Sequence, residues 1–550
     1  MHSTLTQHMQ EKPLVGIFRT ISLWGLGVWI VLTLTLSPAL ATPKPKKAFR
    51  KSSQQKASLS KMSFREDFLL GKDRRFLPYP PLYRKKQWAR MSLELSGIFV
   101  LSFSGYEAAA ALAAVDWDYE LTWSDLYLKL IAGKGLRFDD NPLFLNSPGH
   151  AIAGAYYYLF ARANGLSPIP SFLVTVFSSA VWELFIEYRE VFSINDMIVT
   201  PFGGMSFGET FYQLGMLFAR GQNTWYYRAL AFLFNPLTEL HALVDKKWPQ
   251  RATQLNRFGL PDDIWHRFDT FFDGVYIQNN TADKRKGGFG FGLEAEILNI
   301  TSYKRAGIVS GLLNDAAWTH VKVRTAFGFP EAWEIEFFTK TSFLGYYQQQ
   351  VVQNEQGDLE GVHFYVGLMT SYEHWEQRSG NIRDLFAAAQ LIGPRFDALF
   401  MVGPFQIRGT LETSPDFGLV HALALDAYSV NRTQSGFKSI LRAQQYYYAF
   451  GWSLRASIEA SLYRLSWGLR GHYSVLDSIE GWDRFQEEVT DDFSLIDDRF
   501  LLWFWVGFRL PGDALYLQLA SRYRFRRGRI HTTTVLREDL WIFARLLFRI

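Results

Sequence analysis

From Gly287 onward the chain changes to a period of two. Phe289, Phe291, Leu293, Ala295 and Ile297 alternate with Gly290, Gly292, Glu294 and Glu296, and Val321, Val323 and Thr325 alternate with Lys322 and Arg324. Trp333, Ile335 and Phe337 likewise alternate with Glu334 and Glu336. Successive side chains of a strand point to opposite faces, so each run puts its charges on one side and its apolar groups on the other. A face charged at every second position cannot line a dry core, but it can line a polar lumen while the apolar face meets lipid. Further runs at 362–375, 385–395, 401–412, 417–425, 444–456, 458–473, 499–510, 514–526 and 535–549 bring the expectation to about twelve strands, an antiparallel transmembrane β-barrel over 287–550. A soluble sandwich or lipocalin-like barrel shows the same alternation with its faces reversed. An export signal, runs of about ten residues or more and aromatic residues near the run ends favour the membrane form, and an aromatic content of 17% suits the girdles of such a barrel.

The N-terminus points the same way. Lys12 and Arg19 precede a mostly apolar run from Ile21 to Leu36, and Ala39-Leu40-Ala41 offers a small-residue cleavage site, so residues 1–41 read as a signal peptide. Residues 42–90 are basic and without period, a flexible leader whose lysines and arginines suit anionic lipid or lipopolysaccharide phosphates. With no cysteine, the chain has no disulfide, thiolate metal site or thiol nucleophile. A net charge of +5 with no nucleic-acid-reading motif argues against DNA or RNA as a partner. The expected partners are outer-membrane lipid, the barrel-assembly machinery and lipopolysaccharide. The expected location is the outer membrane, with the helical domain on the periplasmic side.

Between leader and barrel, residues 91–234 read as an all-α domain of about six helices, followed by a polar connector over 235–286. The fold class is therefore α+β, helices first and barrel second. Within the helical part, residues costly to bury recur in apolar surroundings. His150 follows Pro148 at a helix start, Glu183 and Glu187 stand four apart in an apolar helix, and Asp196 and Glu209 lie beside Gly203-Gly204 and Gly208. One histidine with several carboxylates is what acid–base or metal-assisted chemistry needs, so His150, Glu183, Asp196 and Glu209 form the candidate catalytic set. Asn141, Glu187, Gly203, Gly204 and Arg162 are the candidate binding residues, the glycines through exposed backbone N–H groups. The competing reading is structural: Asp196 and Glu209 as helix caps or dipole partners, and the glutamates paired with Arg162 or Arg189. No spacing matches a metal signature, and neither cofactor nor metal follows from the residues.

The ordered landmarks Asn141-Pro142, His150 with Gly154, Tyr156-Tyr157, Arg162 with Gly165, Ser178 with Trp182-Glu183, Asn195-Asp196, and Gly203-Gly204 with Gly208-Glu209 resemble the bacterial domain-of-unknown-function 3943 family, over roughly Phe138 to Phe234. The resemblance implies an exported, outer-membrane-associated bacterial protein and brings no activity with it. Three function classes follow: a barrel that binds or transports an envelope or lipid substrate, with the helices plugging or gating its lumen; an envelope lipid-modifying or hydrolytic enzyme using the His/carboxylate set; and a structural envelope protein.

Overall fold

Strands that carry charges on one face need an interior in which those charges can be paired, and closing the sheet on itself supplies one. In the computed structural model twelve antiparallel strands do so. The structure describes residues 85–113, 119–120, 122–279, 284–300, 303–329, 332–379, 382–430, 432–481, 492–512 and 514–550. The expected signal peptide and nearly all of the leader lie outside these residues.

The strands are β1 Trp265–Asn279, β2 Lys284–Leu298, β3 Trp318–Phe329, β4 Ala332–Gln353, β5 Leu359–Ser379, β6 Ile382–Val402, β7 Phe405–His421, β8 Tyr446–Leu462, β9 Leu465–Ser478, β10 Leu495–Arg509, β11 Leu515–Ile530 and β12 Thr533–Arg549. Each pairs with the next, and β12 returns to pair with β1 from Asp539 opposite Asn279 to Arg549 opposite Asp269. A short strand, Gly307–Leu313, extends the sheet beside the far end of β4. Two details differ from the sequence expectation. The barrel begins at Trp265, inside the segment read as a connector, because β1 opens with mixed residues whose alternation becomes clear only once Arg267, Asp269 and Asp273 are seen to face inward. Residues 405–421 form one strand rather than parts of two, the apparent break at Thr413–Pro415 being a register shift between Glu412 and Asp416.

Ion pairs that join strands far apart in the sheet must cross the interior, and they identify it. Glu334 on β4 reaches Arg522 on β11 at 2.7 Å, Arg537 on β12 reaches Asp384 on β6 at 3.1 Å, and Arg408 on β7 reaches Glu296 on β2 at 3.1 Å. The alternate residues, among them Phe272, Phe291, Phe400, Ile458, Leu517 and Leu546, are exposed on the outer wall. The period-two expectation is thus met with its charges inside.

The two ends differ. Both chain ends of the barrel and the turns at 354–358, 403–404, 463–464 and 510–514 lie at one end, with 299–317 the long exception. The other end has the short connections after Asn279, Phe329, Ser379 and Ile530, but it also carries two of the three long ones, after His421 and after Ser478. From these, Tyr428, Phe437, Ile440, Leu441 and Phe493 pack onto Leu495 and Ile530 in one buried cluster that caps the lumen. Below this cap stands the lattice of Arg324, Glu334, Arg522 and Arg524 and the pairs of Asp384 with Arg526 and Arg537. Toward the short-turn end a cavity of about 340 Å³ remains, walled by charged residues such as Arg267, Glu296, Lys304, Arg408 and Arg455.

The helices do not enter this lumen. The longer ones before the barrel are α1 Trp88–Ala113, α2 His150–Ala163, α3 Pro168–Val181, α4 Asp196–Arg220, α5 Trp225–Phe234 and α6 Pro236–Asp245. α4 lies on the outer wall: Ser206 Oγ meets Thr339 Oγ1 at 2.7 Å, and the Phe207 ring stacks on Phe337 with centroids 4.4 Å apart. Phe337 and Thr339 alternate with the lumen-facing Glu336, Phe338 and Lys340, which fixes the side. Ala387 and Ala389 of β6 are buried beneath the bundle, small enough to admit it, and Phe138 stacks on Phe417 and Tyr448 beside them. Along its 25 residues α4 runs from the long-loop end to the short-turn end, where Gln213 accepts from Asn299 at 2.9 Å and Arg220 pairs with Asp263. At the helical rise this is about 37 Å, the thickness of a bilayer core and part of its headgroups.

Removing Glu334 leaves Arg324, Arg522 and Arg524 facing one another without their shared carboxylate. Glu334→Ala is expected to lower barrel stability by about 3–5 kcal/mol, the usual cost of breaking a buried pair from one side. Urea unfolding followed by heat-modifiable gel migration measures it, and a change under about 1 kcal/mol contradicts the lattice as a structural element.

Candidate functional site

The site forms where the bundle meets the wall at the long-loop end. Phe138-Asp139-Asp140 follows a two-residue strand, Leu136–Arg137, paired in parallel with Phe192–Ser193. This small ladder sets Asp139 against Ser193 and Asn195. Ser193 Oγ donates to Asp139 Oδ2 at 3.1 Å, Asn195 Nδ2 donates to the same oxygen at 3.3 Å and to Asp196 Oδ1 at 2.7 Å. On the barrel side Tyr448 OH donates to Asp139 Oδ1 at 3.2 Å, and Asn146 Nδ2 donates to Asp139 Oδ1 and contacts the hydroxyls of Tyr446 and Tyr448 at 2.9 and 2.7 Å. The strand wall therefore holds one edge of the site and the helices the other.

His150 and Asp196 meet across the α2–α4 crossing, with Nε2 to Oδ1 at 3.2 Å. Glu183, buried at the end of the α3 helix in a π-helical turn, Trp182–Ile186, accepts from Ser193 N at 2.8 Å and lies close enough to Asp196 for the two carboxylates to repel each other. Of the four candidate catalytic residues the structure thus brings three together. Glu209 stands apart: it is 13 positions along α4 from Asp196, about 20 Å by helical rise. There it accepts from Arg162 Nε at 2.8 Å and Arg162 Nη2 at 3.1 Å and from Tyr158 OH at 2.7 Å, with Gln213 also bonded. Arg162 and Glu209 form a satisfied pair inside the bundle.

The other expected binding residues divide similarly. Asn141 supplies its carbonyl to Tyr446 OH at 2.7 Å and so belongs to the rim of the site. Glu187 follows the π-helical turn as its cap, its carbonyl accepting from Lys129 Nζ at 2.9 Å, and its charge is felt by both Glu183 and Asp196. Gly203 and Gly204 are not in a turn with free N–H groups. They lie inside α4, which continues unbroken through Pro201, and their role is steric: a Cβ on Gly203 would crowd Ala151, and one on Gly204 would crowd the backbone of Gly154. The close α2–α4 crossing they permit is what brings His150 to Asp196. Asp139, Asn146, Ser193, Tyr446 and Tyr448 were not anticipated. Asp139 stood two residues before the Asn141-Pro142 landmark, whereas the tyrosines, some 300 positions away, gave no local signal.

Charge is the unusual property here. Every lumen carboxylate described above has a guanidinium or ammonium partner, yet among the described residues no arginine pairs with Asp139, Asp196 or Glu183. Lys129 turns its ammonium to the carbonyls of Glu183, Glu187 and Tyr188. Lys129 is the cation nearest Glu183, whereas Asp139 and Asp196 have only His150. Buried carboxylates without a cation are costly, so these two must share a proton, take His150 as imidazolium or accept a cation. The His150 side chain is 24% exposed while that of Asp196 is 4%, so the histidine is the way in.

Residues 135–237 match the family model of the domain of unknown function DUF3943. This DUF3943 segment holds all the helical members of the site, and the two tyrosines come from outside it. No curated protein matches the chain. Among solved structures, the chain aligns with OccAB3 of Acinetobacter baumannii at 10% identity, covering 52% of this chain and 99% of that one with a TM-score of 0.17. It aligns with the outer membrane channel DcaP of Acinetobacter baumannii at 7% identity, 54% and 100% coverage and a TM-score of 0.21. A Pseudomonas aeruginosa FadL homologue aligns at 8% identity, 52% and 90% coverage and a TM-score of 0.20.

The crossing can be tested without touching any polar group. A Cβ on Gly154 would overlap the Thr200 carbonyl, so Gly154→Val forces α2 and α4 apart. The expected cost is about 1–3 kcal/mol or more of bundle stability. Limited proteolysis should cleave the DUF3943 segment of the variant while the barrel keeps its heat-modifiable migration; a resistant bundle contradicts the role given to these glycines.

Proposed function

We propose that this protein is an outer-membrane barrel whose helical bundle lies in the bilayer beside the barrel wall and binds an envelope lipid, or a lipid-linked envelope molecule, by its polar end. The observation that carries the reading is the position of the bundle on the outer wall with apolar residues turned away from it. Leu93, Val100 and Phe103 of α1, Leu173 and Phe177 of α3, and Leu233 of α5 are exposed. The stretch Pro168–Ile186 has a mean hydropathy of 1.7, long and apolar enough to cross a membrane, and two thirds of it is unburied. Such a surface is suited to acyl chains and ill suited to water. A bundle at bilayer depth replaces the periplasmic placement expected from the sequence.

Depth also assigns the site to a leaflet. Outer-membrane barrels keep short turns on the periplasmic side and long loops outside, so the site at the long-loop end falls at the outer leaflet. The residues preceding and following His150 fit entry from lipid: Phe144, Leu145 and Ile152 are exposed, and only the histidine leads inward. The lumen favours this lateral route, since its capped end and ion-paired lattice leave a blind cavity rather than a channel.

Mass spectrometry of lipids retained by the protein after extraction in mild detergent tests the proposal. The expected result is one lipid class held near stoichiometry, and its retention should fall about tenfold in His150→Leu, which removes the partly exposed polar group at the entrance, a contact of the kind worth about 1.5 kcal/mol. Retention of bulk lipid alone, in bulk proportions, contradicts it. In planar bilayers the wild-type protein should give no steady open-pore conductance; a porin-like conductance would move the function to the lumen.

A further inference from the structure

We infer that Asp139, His150 and Asp196 form a binding site for a single divalent transition-metal cation. One donor atom from each of the three lies within 4.8 Å of the others. Ligands bound at about 2.0–2.2 Å to one ion stand some 3–4 Å apart, so a small inward rotation of these side chains closes the triad. An imidazole with two carboxylates is a borderline donor set, suited to zinc or manganese rather than to an all-oxygen calcium cage.

Three observations converge on a cation. The first is the grouping itself: Asp139 and Asp196 are buried side by side with a single imidazole, and no arginine or lysine among the described residues pairs with either. The second is the arrangement of donors behind the ligands. Ser193, Asn195, Asn146 and Tyr448 all bond to the Asp139 carboxylate, and Asn195 also bonds to Asp196, the outer-shell bracing that orients metal-bound carboxylates. The third is independent of the acids. Oδ1 of Asn146, a residue with no exposed surface, has no hydrogen-bond partner, although its amide nitrogen touches the same Asp139 carboxylate. A buried carbonyl oxygen left unbonded on a side chain that already braces Asp139 lacks a partner of the kind a metal-bound water supplies. The partly exposed His150 ring gives the ion an entry path.

The site stands on these side chains whether or not a lipid occupies the adjoining surface, and the two are measured separately. Full-length protein, folded in detergent, stripped with chelator and dialysed, is titrated with zinc chloride alone by calorimetry. One equivalent is expected to bind, with affinity reduced roughly tenfold or more in His150→Ala and in Asp196→Asn, and unchanged in Asp125→Asn, which alters an exposed cap elsewhere. Folding of each variant is read from its heat-modifiable migration. A second measurement needs no variant: cobalt(II) added to the stripped wild-type protein should give a saturable visible absorption band at one equivalent. Absence of stoichiometric zinc binding and of the cobalt band overturns the inference, as does undiminished binding by the two folded variants.

Discussion

The structure depends on sorting charge from apolar surface by strand parity. A closed antiparallel sheet has one enclosed face, and every charged side chain of the alternating strands that points into it is desolvated together with its neighbours. The chain meets this by supplying opposite charges on strands that face one another across the barrel. Glu334 serves three guanidinium groups, and Asp384 serves two. Because these pairs join non-adjacent strands, they tie the wall together through its centre and fill the space an open channel would need.

The outer face carries the second constraint. A wall exposed to lipid is free to be uniformly apolar, but the sector under the bundle has other requirements. Ala387 and Ala389 leave room for helices, Thr339 offers a hydroxyl to Ser206, and Tyr372 and Phe337 give flat surfaces to Phe207. Close packing of small residues and occasional hydroxyl contacts hold the bundle against this sector. The same logic continues inside the bundle, where Gly154, Gly203, Gly204 and Gly208 set α2 against α4. Packing against the wall therefore determines the geometry of the polar site, since the crossing sets the distance between His150 and Asp196, and Tyr446 and Tyr448 hold Asp139 and Asn146 from the barrel side.

Two acid groups on the same helix illustrate how differently burial is handled. Glu209 is surrounded by Arg162, Tyr158 and Gln213, every one of them a donor, and nothing about it invites a ligand. Asp196 is beside a second and a third carboxylate and one histidine. The contrast between a completed network and an incomplete one distinguishes an internal brace from a site.

The sequence by itself determined the barrel and the helical character of the segment before it. Period-two alternation and 3.6-residue periodicity are local properties, legible wherever a run is long enough; β1, with its less regular opening, the bulged β7 and the glycine-containing first half of α4 escaped. It also exposed His150, Glu183 and Asp196, because polar residues in apolar runs are conspicuous. What only the tertiary structure decided was partnership and side. Whether Glu209 belonged with Asp196 depended on where Arg162 came to rest, and whether Gly203-Gly204 made a turn or a helix contact depended on Gly154 opposite. Most of all, helices beside the barrel rather than within it follow from which strand face is small and hydroxylated at Thr339, Ala387 and Ala389, a match between surfaces distant in sequence that no local pattern encodes.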